Sequence, residues 1–339
     1  MNKLTLAPTR QAVPTKTTGT PIVSKHALVR RLAPLLVLVA LGLCIGALNR
    51  DFFDPMNLSR IAIGAAIPLT IALGAAFVIQ LGSIDLSAEG IVAVAAIAVS
   101  MLVENSYNDN HFGLWVLAVA IAAGTALGLA NGVLHVFLRI PSFITTLAIG
   151  FVATGIGTAW LSGNTIRVSD PSLRAISITR YLGLPLSVWI AISMLGVAWF
   201  VYKHTLLGRH TLAIGGGEDL ARLSGVRVSR VRIVVFALAG AFYGVAGILA
   251  VAQYGQGHAR IADGQLFVAI TAIVVGGTSL AGGNGSPMNT LIGTLIVIVL
   301  GNGMVLLGVP PYVQQGIQGV LIIAAVTLAL NRSRRRIVK

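Results

Sequence analysis

The sequence predicts an all-α integral membrane protein of about ten transmembrane helices with both termini cytoplasmic. Composition is the first reason: 56% of the 339 residues are hydrophobic, 10% are charged, and mean hydropathy is +0.88, far from a soluble globular chain. Distribution is the second, because the apolar residues gather in runs of about 20, the length that crosses a hydrocarbon core ~30 Å thick as a helix. They lack the two-residue alternation of a membrane β-barrel. The third is the sharing of cations between alternate segments, taken up below.

The runs fall at 32–48, 61–81, 86–103, 112–138, 142–161, 186–202, 233–252, 266–281, 288–307 and 313–330. Residues 1–31 are polar, basic and rich in Thr and Pro, and read as a disordered cytoplasmic tail. The run after them is longer than a signal h-region and lacks a cleavage site, so it reads as a retained helix. Cys44, the single cysteine, falls in it; one cysteine excludes an intrachain disulfide or a cysteine metal site and leaves a packing role. The interruptions at 49–60, 104–111, 163–185, 203–232 and 253–265 are too short for a soluble domain. One transmembrane domain, 32–331, is therefore expected, followed by a basic cytoplasmic tail at 332–339.

The net charge of +14 has to be read by side of the membrane, not as a sign of nucleic acid. With both ends inside, the inner segments hold 18 of the 24 Lys and Arg: six before the first run, Arg139, six between 203 and 232, and Arg332, Arg334, Arg335, Arg336 and Lys339. The outer segments hold Arg50, Arg60, Arg167, Arg174, Arg180 and Arg260. This bias fits an even number of crossings and puts 203–232 in the cytoplasm.

That segment, KHTLLGRHTLAIGGGEDLARLSGVRVSRVR, is a basic island (Lys203, Arg209, Arg222, Arg227, Arg230, Arg232) in an apolar chain. Within it Glu218, Asp219, Leu220, Ala221, Arg222, Leu223, Ser224 and Gly225 form a short amphipathic piece that resembles a docking helix. Leu220 and Leu223 are its apolar knobs, and Gly225 is its expected stop.

Several chemistries are excluded. No lysine follows a glycine in a GxxxxGK[ST] phosphate loop, no GxGxxG is complete, and neither HExxH nor G-x-S-x-G occurs. The sequence thus offers no catalytic residues, no metal site and no cofactor site of its own. GxxxG spacings at Gly42/Gly46, Gly124/Gly128 and Gly240/Gly244 suit close helix approach in lipid. Asp85 and Glu89, four apart at the start of a run, would share a helix face. Such a pair either couples an ion or offsets the positive end of the helix dipole. The glycine cluster 276–285 is either a break that gates or a tight helix connection. Asn131, His135, Asn302, Gln314, Gln315 and Gln318 lie at membrane depth or run ends, as interhelical hydrogen bonds or as pathway contacts.

Four motifs in order, GSIDLSAEG at 82–90, NGVLHVFLRIPSFITTLAIG at 131–150, GRHTLAIGGGEDLARLSGV at 208–226 and VVGGTSLAGGNGS at 274–286, give the chain a resemblance to the permease subunits of bacterial ABC importers for ribose, xylose, galactose and similar small sugars. It departs from the usual pattern at Ser83, Ala88-Glu89, Gly217 and Gln265-Leu266. The resemblance implies an inner-membrane permease that translocates a monosaccharide or related polyol, paired with a second copy or a paralogue. It also implies a cytoplasmic ABC ATPase that binds ATP and Mg, and a periplasmic sugar-binding protein. Glu218 to Gly225 would be the ATPase-coupling element; Asn131, Phe143, Thr146, Asn302 and Gln314 are the expected translocation-pathway residues. The competing expectations are an ion-coupled secondary carrier using Asp85 and Glu89, and a gated channel.

Overall fold

The computed structural model describes residues 25–113 and 115–334. The expected disordered tail lies outside the described residues up to 24, and the basic end from 335. The compact unit runs from Pro34 onward, and the unit before it is described only from Lys25, where it is helical.

Thirteen α-helices occur among the described residues: α1 (Lys25–Leu48), α2 (Pro55–Gln80), α3 (Ala88–Leu102), α4 (Trp115–Phe137), α5 (Ser142–Leu161), α6 (Pro171–Ile178), α7 (Leu186–His204), α8 (Leu206–Gly216), α9 (Glu218–Leu223), α10 (Val228–Tyr254), α11 (Gln265–Val275), α12 (Pro287–Leu306) and α13 (Pro311–Arg334). Three starts repeat one device, a capping side chain followed by proline at the first helical position. Asp54 accepts from Met56 N ahead of Pro55, Asp170 from Leu173 N ahead of Pro171, and Ser286 from Asn289 N ahead of Pro287. This is why α2 begins at 55 and not at 61, where apolarity alone placed it.

Six of the helices, α2, α4, α5, α7, α10 and α12, are long and apolar enough to cross a membrane. Two expected runs break instead. The run at 86–103 becomes helical only at Ala88, after a non-helical segment at 83–87, and the run at 266–281 leaves the helix at Val275 and continues as a glycine-rich loop. At 1.5 Å per residue the 11 residues of α11 reach only ~16 Å. Non-helical backbone at such depth requires protein around it to satisfy its polar groups, and that requirement organises the centre of the fold.

The core is built around α2 and α10, whose apolar residues continue round the whole helix, as a helix buried on every side requires. Phe77 of α2 and Phe236, Phe242 and Tyr243 of α10 are fully buried. The sequence's GxxxG motifs at 124/128 and 240/244 meet each other: a Cβ on Gly124 would strike the Gly240 carbonyl and one on Gly128 the Phe236 carbonyl. Backbone thus touches backbone between α4 and α10. Gly42 and Gly46 do a different job, leaving room for Phe52 and Phe53. Cys44, expected to pack, is exposed. Trp115, Phe151, Trp160 and Phe200 also stand out from the bundle, apolar as a lipid-facing surface must be.

The connections gather at two ends. At one, Asn105 bridges to Val168, Ser106 N donates to Arg167 O, Val168 N donates to Gly255 O, and strand 166–167 pairs with 256–257. At the other, Gly283 N donates to Gln80 O, Tyr202 donates to the Gly285 carbonyl, and Gly215 sits against Gln80 and Gly283. The glycine cluster 276–285 is therefore a tight connection, packed where side chains would not fit. The segment 163–185, read from sequence as a polar interruption, holds α6 and a hairpin pairing 180–181 with 184–185.

Candidate functional site

At the end of the molecule that carries the basic island, the chain leaves α7 at Thr205, whose side chain caps α8 through Gly208 N. It then turns at Gly217 into α9. Gly225 stops α9 in the left-handed region at φ 83. Gly225 N donates to Arg222 O and Val226 N to Ala221 O, the paired bonds of a Schellman closure.

One face of α9 is anchored and the other free. Ala221 is 4% exposed and faces the bundle, whereas Leu220 and Leu223 are 72% and 85% exposed. Glu218 fastens the helix: its Oε1 accepts from Arg222 at 2.7 Å and its Oε2 from Arg232 of α10 at 2.6 Å. Partial burial raises the Glu218 carboxyl, and the Arg232 charge with hydrogen bonds from both arginines more than reverses this, holding it below the ordinary glutamate range. Asp219, Arg222, Ser224, Arg227 and Arg230 are exposed around the two leucines. An exposed ion pair contributes ~0–1 kcal/mol, while burying a leucine contributes roughly 1.5–3 kcal/mol. The pair of leucines is thus the part of this surface able to hold a partner, and the ion pairs set its pose.

A second constellation lies inside the bundle, on the non-helical segment 83–87. Asp85 Oδ1 accepts from Ser87 N at 2.8 Å and Ser87 Oγ at 2.6 Å, and its Oδ2 accepts from Tyr243 at 3.1 Å. Asn131 Nδ2 donates to Ser87 Oγ at 2.7 Å. From α5, Ser142 Oγ accepts from Ile84 N at 3.0 Å and Thr146 Oγ1 from Leu86 N at 2.9 Å. These hydroxyls replace the helical hydrogen bonds that the break gives up.

This corrects the expectation that Asp85 and Glu89 share a helix face. Asp85 precedes the helix, and only Glu89 lies in the first turn of α3, where Oε1 accepts from Leu266 N at the start of α11. Of the expected pathway residues, Asn131 and Thr146 come together in the network and are fully buried in the chain, while Phe143 is 48% exposed on α5. Asn302 lies elsewhere, exchanging amide hydrogen bonds with Asn57 of α2, and Gln314 donates to Val309 O in the turn before α13. Sequence reasoning missed Tyr243 and Ser142. Tyr243 left one signal, as the sole side chain with a polar atom between 233 and 252; Ser142 left none. Among the described residues no group of His, Cys, Asp or Glu could hold a metal.

Residues 57–326 match the family described as "Branched-chain amino acid transport system / permease component". Similar proteins include the ribose import permease protein RbsC of Escherichia coli (strain K12), 35% identical over 301 residues, 88% of this chain and 92% of that protein. RbsC of Bacillus subtilis (strain 168) is 33% identical over 308 residues, 90% and 94% of the two chains. The L-arabinose ABC transporter permease protein AraH of Azospirillum brasilense is 31% identical over 313 residues, 92% and 91%. No solved structure matches. With four-fifths of its length inside the match and apolar helices of membrane length, the chain belongs to this family of permease components.

Proposed function

We propose that this chain is the permease of an ATP-driven importer in the bacterial inner membrane, moving a monosaccharide or related polyol. The observation that carries this reading is α9, a helix pinned by Glu218 to Arg232 that presents Leu220 and Leu223 outward, exposed among the described residues. ATP and Mg belong to a separate ABC ATPase seated on Glu218–Gly225, and this chain holds no cofactor. The sugar class rests on what the relatives' names say of ribose and arabinose, and on the scarcity of charge within the apolar runs.

In this reading the chain crosses ten times with both termini cytoplasmic. The crossings are the six long helices, α1 and α13, and two composite ones in which α3 and α11 are completed by 83–87 and the glycine loop. The gathering of alternate connections at opposite ends supports this order. A periplasmic sugar-binding protein docks at the end away from α9, where Arg167, Arg174 and Tyr254 line an open hollow. A second permease copy or a paralogue completes the pathway. Phe143 on the exposed side of α5 faces the solute, Asn131 and Thr146 hold the wall behind it, and Asn302 and Gln314 fix the helix pairing around it.

An ion-coupled carrier has less to work with, since both Asp85 oxygens are engaged by hydrogen-bond donors and Glu89 holds the start of α11. The test is uptake into proteoliposomes of a panel of pentoses, hexoses and polyols. Uptake that requires the ATPase, ATP and the binding protein is expected. Uptake by the permease alone, driven by an ion gradient, would replace the reading with the carrier.

A further inference from the structure

Two joints lie on one helix. At the foot of α10 Arg232 holds the Glu218 carboxylate, and 11 residues on, Tyr243 donates its hydroxyl to Asp85. Eleven residues are about three helical turns, ~16 Å along the axis, so both side chains leave α10 on the same side. Tyr243 is fully buried and Asp85 nearly so, and neither ATPase docking nor contact with the solute uses them.

The surroundings give these joints mechanical consequence. Because α4 and α10 interlock backbone to backbone at their glycines, they move together. Both grip the same non-helical segment, α10 through Tyr243 to Asp85 and α4 through Asn131 to Ser87. On its far side the segment is bonded to Ser142 and Thr146 of α5. Backbone outside a helix can change its dihedrals without breaking a helical ladder, so 83–87 is the compliant piece between two stiff ones. A phenol hydroxyl on a carboxylate is charge-assisted, about twice as strong as a neutral hydrogen bond.

We propose that Tyr243 and Asp85 are positioning residues, the joint through which displacement of the α9 coupling segment reaches 83–87 and α5. The proposal rests on α9 being the ATPase-coupling helix, and its test separates the two. In a Cys44→Ser background of the full permease–ATPase complex, one reporter thiol is placed at Asp219, beside the coupling leucines, and another at Ile84, exposed in the middle of the segment. Each is labelled with a maleimide in the nucleotide-free and vanadate-trapped states.

With Tyr243 present, nucleotide should change the labelling rate at both positions. With Tyr243→Phe, which removes one oxygen, the change at Asp219 should persist while that at Ile84 shrinks about tenfold, the factor one lost charge-assisted hydrogen bond supports. Asp85→Asn should do the same, and the double variant should be no worse than either single one. Survival of both changes in Tyr243→Phe overturns the joint and leaves the coupling helix standing. Loss of both shows a general structural role and overturns it as well. A response at Asp219 but none at Ile84 in the unsubstituted chain shows that no displacement arrives. Silence at Asp219 there removes the coupling reading, and the joint with it.

Discussion

Glu218 is the residue on which the pose of the exposed α9 surface depends, because among the described residues it alone ties α9 to α10 by charge. Its carboxyl is held below its ordinary range when folded, so the brace is fully present above the unfolded value and is lost as pH falls through the folded one. A nitroxide at Asp219 should therefore keep constant mobility across the neutral range and loosen only below the usual glutamate range; loosening near neutrality would contradict the assignment. Glu218→Gln should raise that mobility across the neutral range to the level the unsubstituted chain reaches at low pH. Glu89 carries no such task in ATP-driven transport. Glu89→Gln, whose amide oxygen can still accept from Leu266 N, should retain ATP-dependent uptake to within about twofold, without a new pH dependence, and gradient-driven uptake lost with this variant would mark a coupling acid. Residue by residue, α9 as a short helix with exposed leucines was legible because its signal is local: acidic start, two leucines, a glycine stop. The buried network was not, because it joins residues 85, 87, 131, 142, 146 and 243 across four elements, and nothing in a linear chain states which polar group will face which.

Among the elements, α4 and α10 bear the closest contact, and glycine makes it possible. Gly124→Val or Gly240→Val would drive a side chain into the facing backbone carbonyl. Overpacking of this kind typically costs ~1–3 kcal/mol, so the unfolding midpoint in detergent should fall by several degrees. Gly155→Val, on α5 with open space at its Cβ, should leave the midpoint unchanged. Equal midpoints for all three would show that the interlock contributes nothing. The GxxxG spacing announced these contacts but not their partners, and at 42/46 the same spacing only clears two phenylalanine rings. Apolar periodicity also hid the breaks at 83–87 and after Val275. Hydropathy registers that a segment is apolar enough to be buried, not whether its backbone is helical, and the hydroxyls that permit the first break come from α5, some 60 residues away.

Within the unit from Pro34 onward, the connections meet in two groups, and the proposed topology puts the group with α9 on the cytoplasmic side, as the cation bias would have it. Single cysteines at positions 219 and 335, with Cys44 replaced by serine, should react with an impermeant reagent only from the cytoplasmic side, and those at 107 and 172 only from outside. The reverse pattern would overturn the topology and the docking surface with it. The all-helical class, with helices apolar enough to cross a membrane, was legible in the sequence, since it depends on composition summed over segments. The central claim is that the exposed leucines of α9 transmit ATP-driven work, and Leu223→Asp tests it most directly. Buried under a partner, the new carboxylate forfeits roughly 1.5–3 kcal/mol of apolar contact and adds a desolvation cost. Measured in proteoliposomes with ATPase and binding protein, the variant should insert normally, lose ATPase association by at least about tenfold, and lose uptake with it. ATP-driven uptake at the unsubstituted rate by Leu223→Asp would contradict the claim.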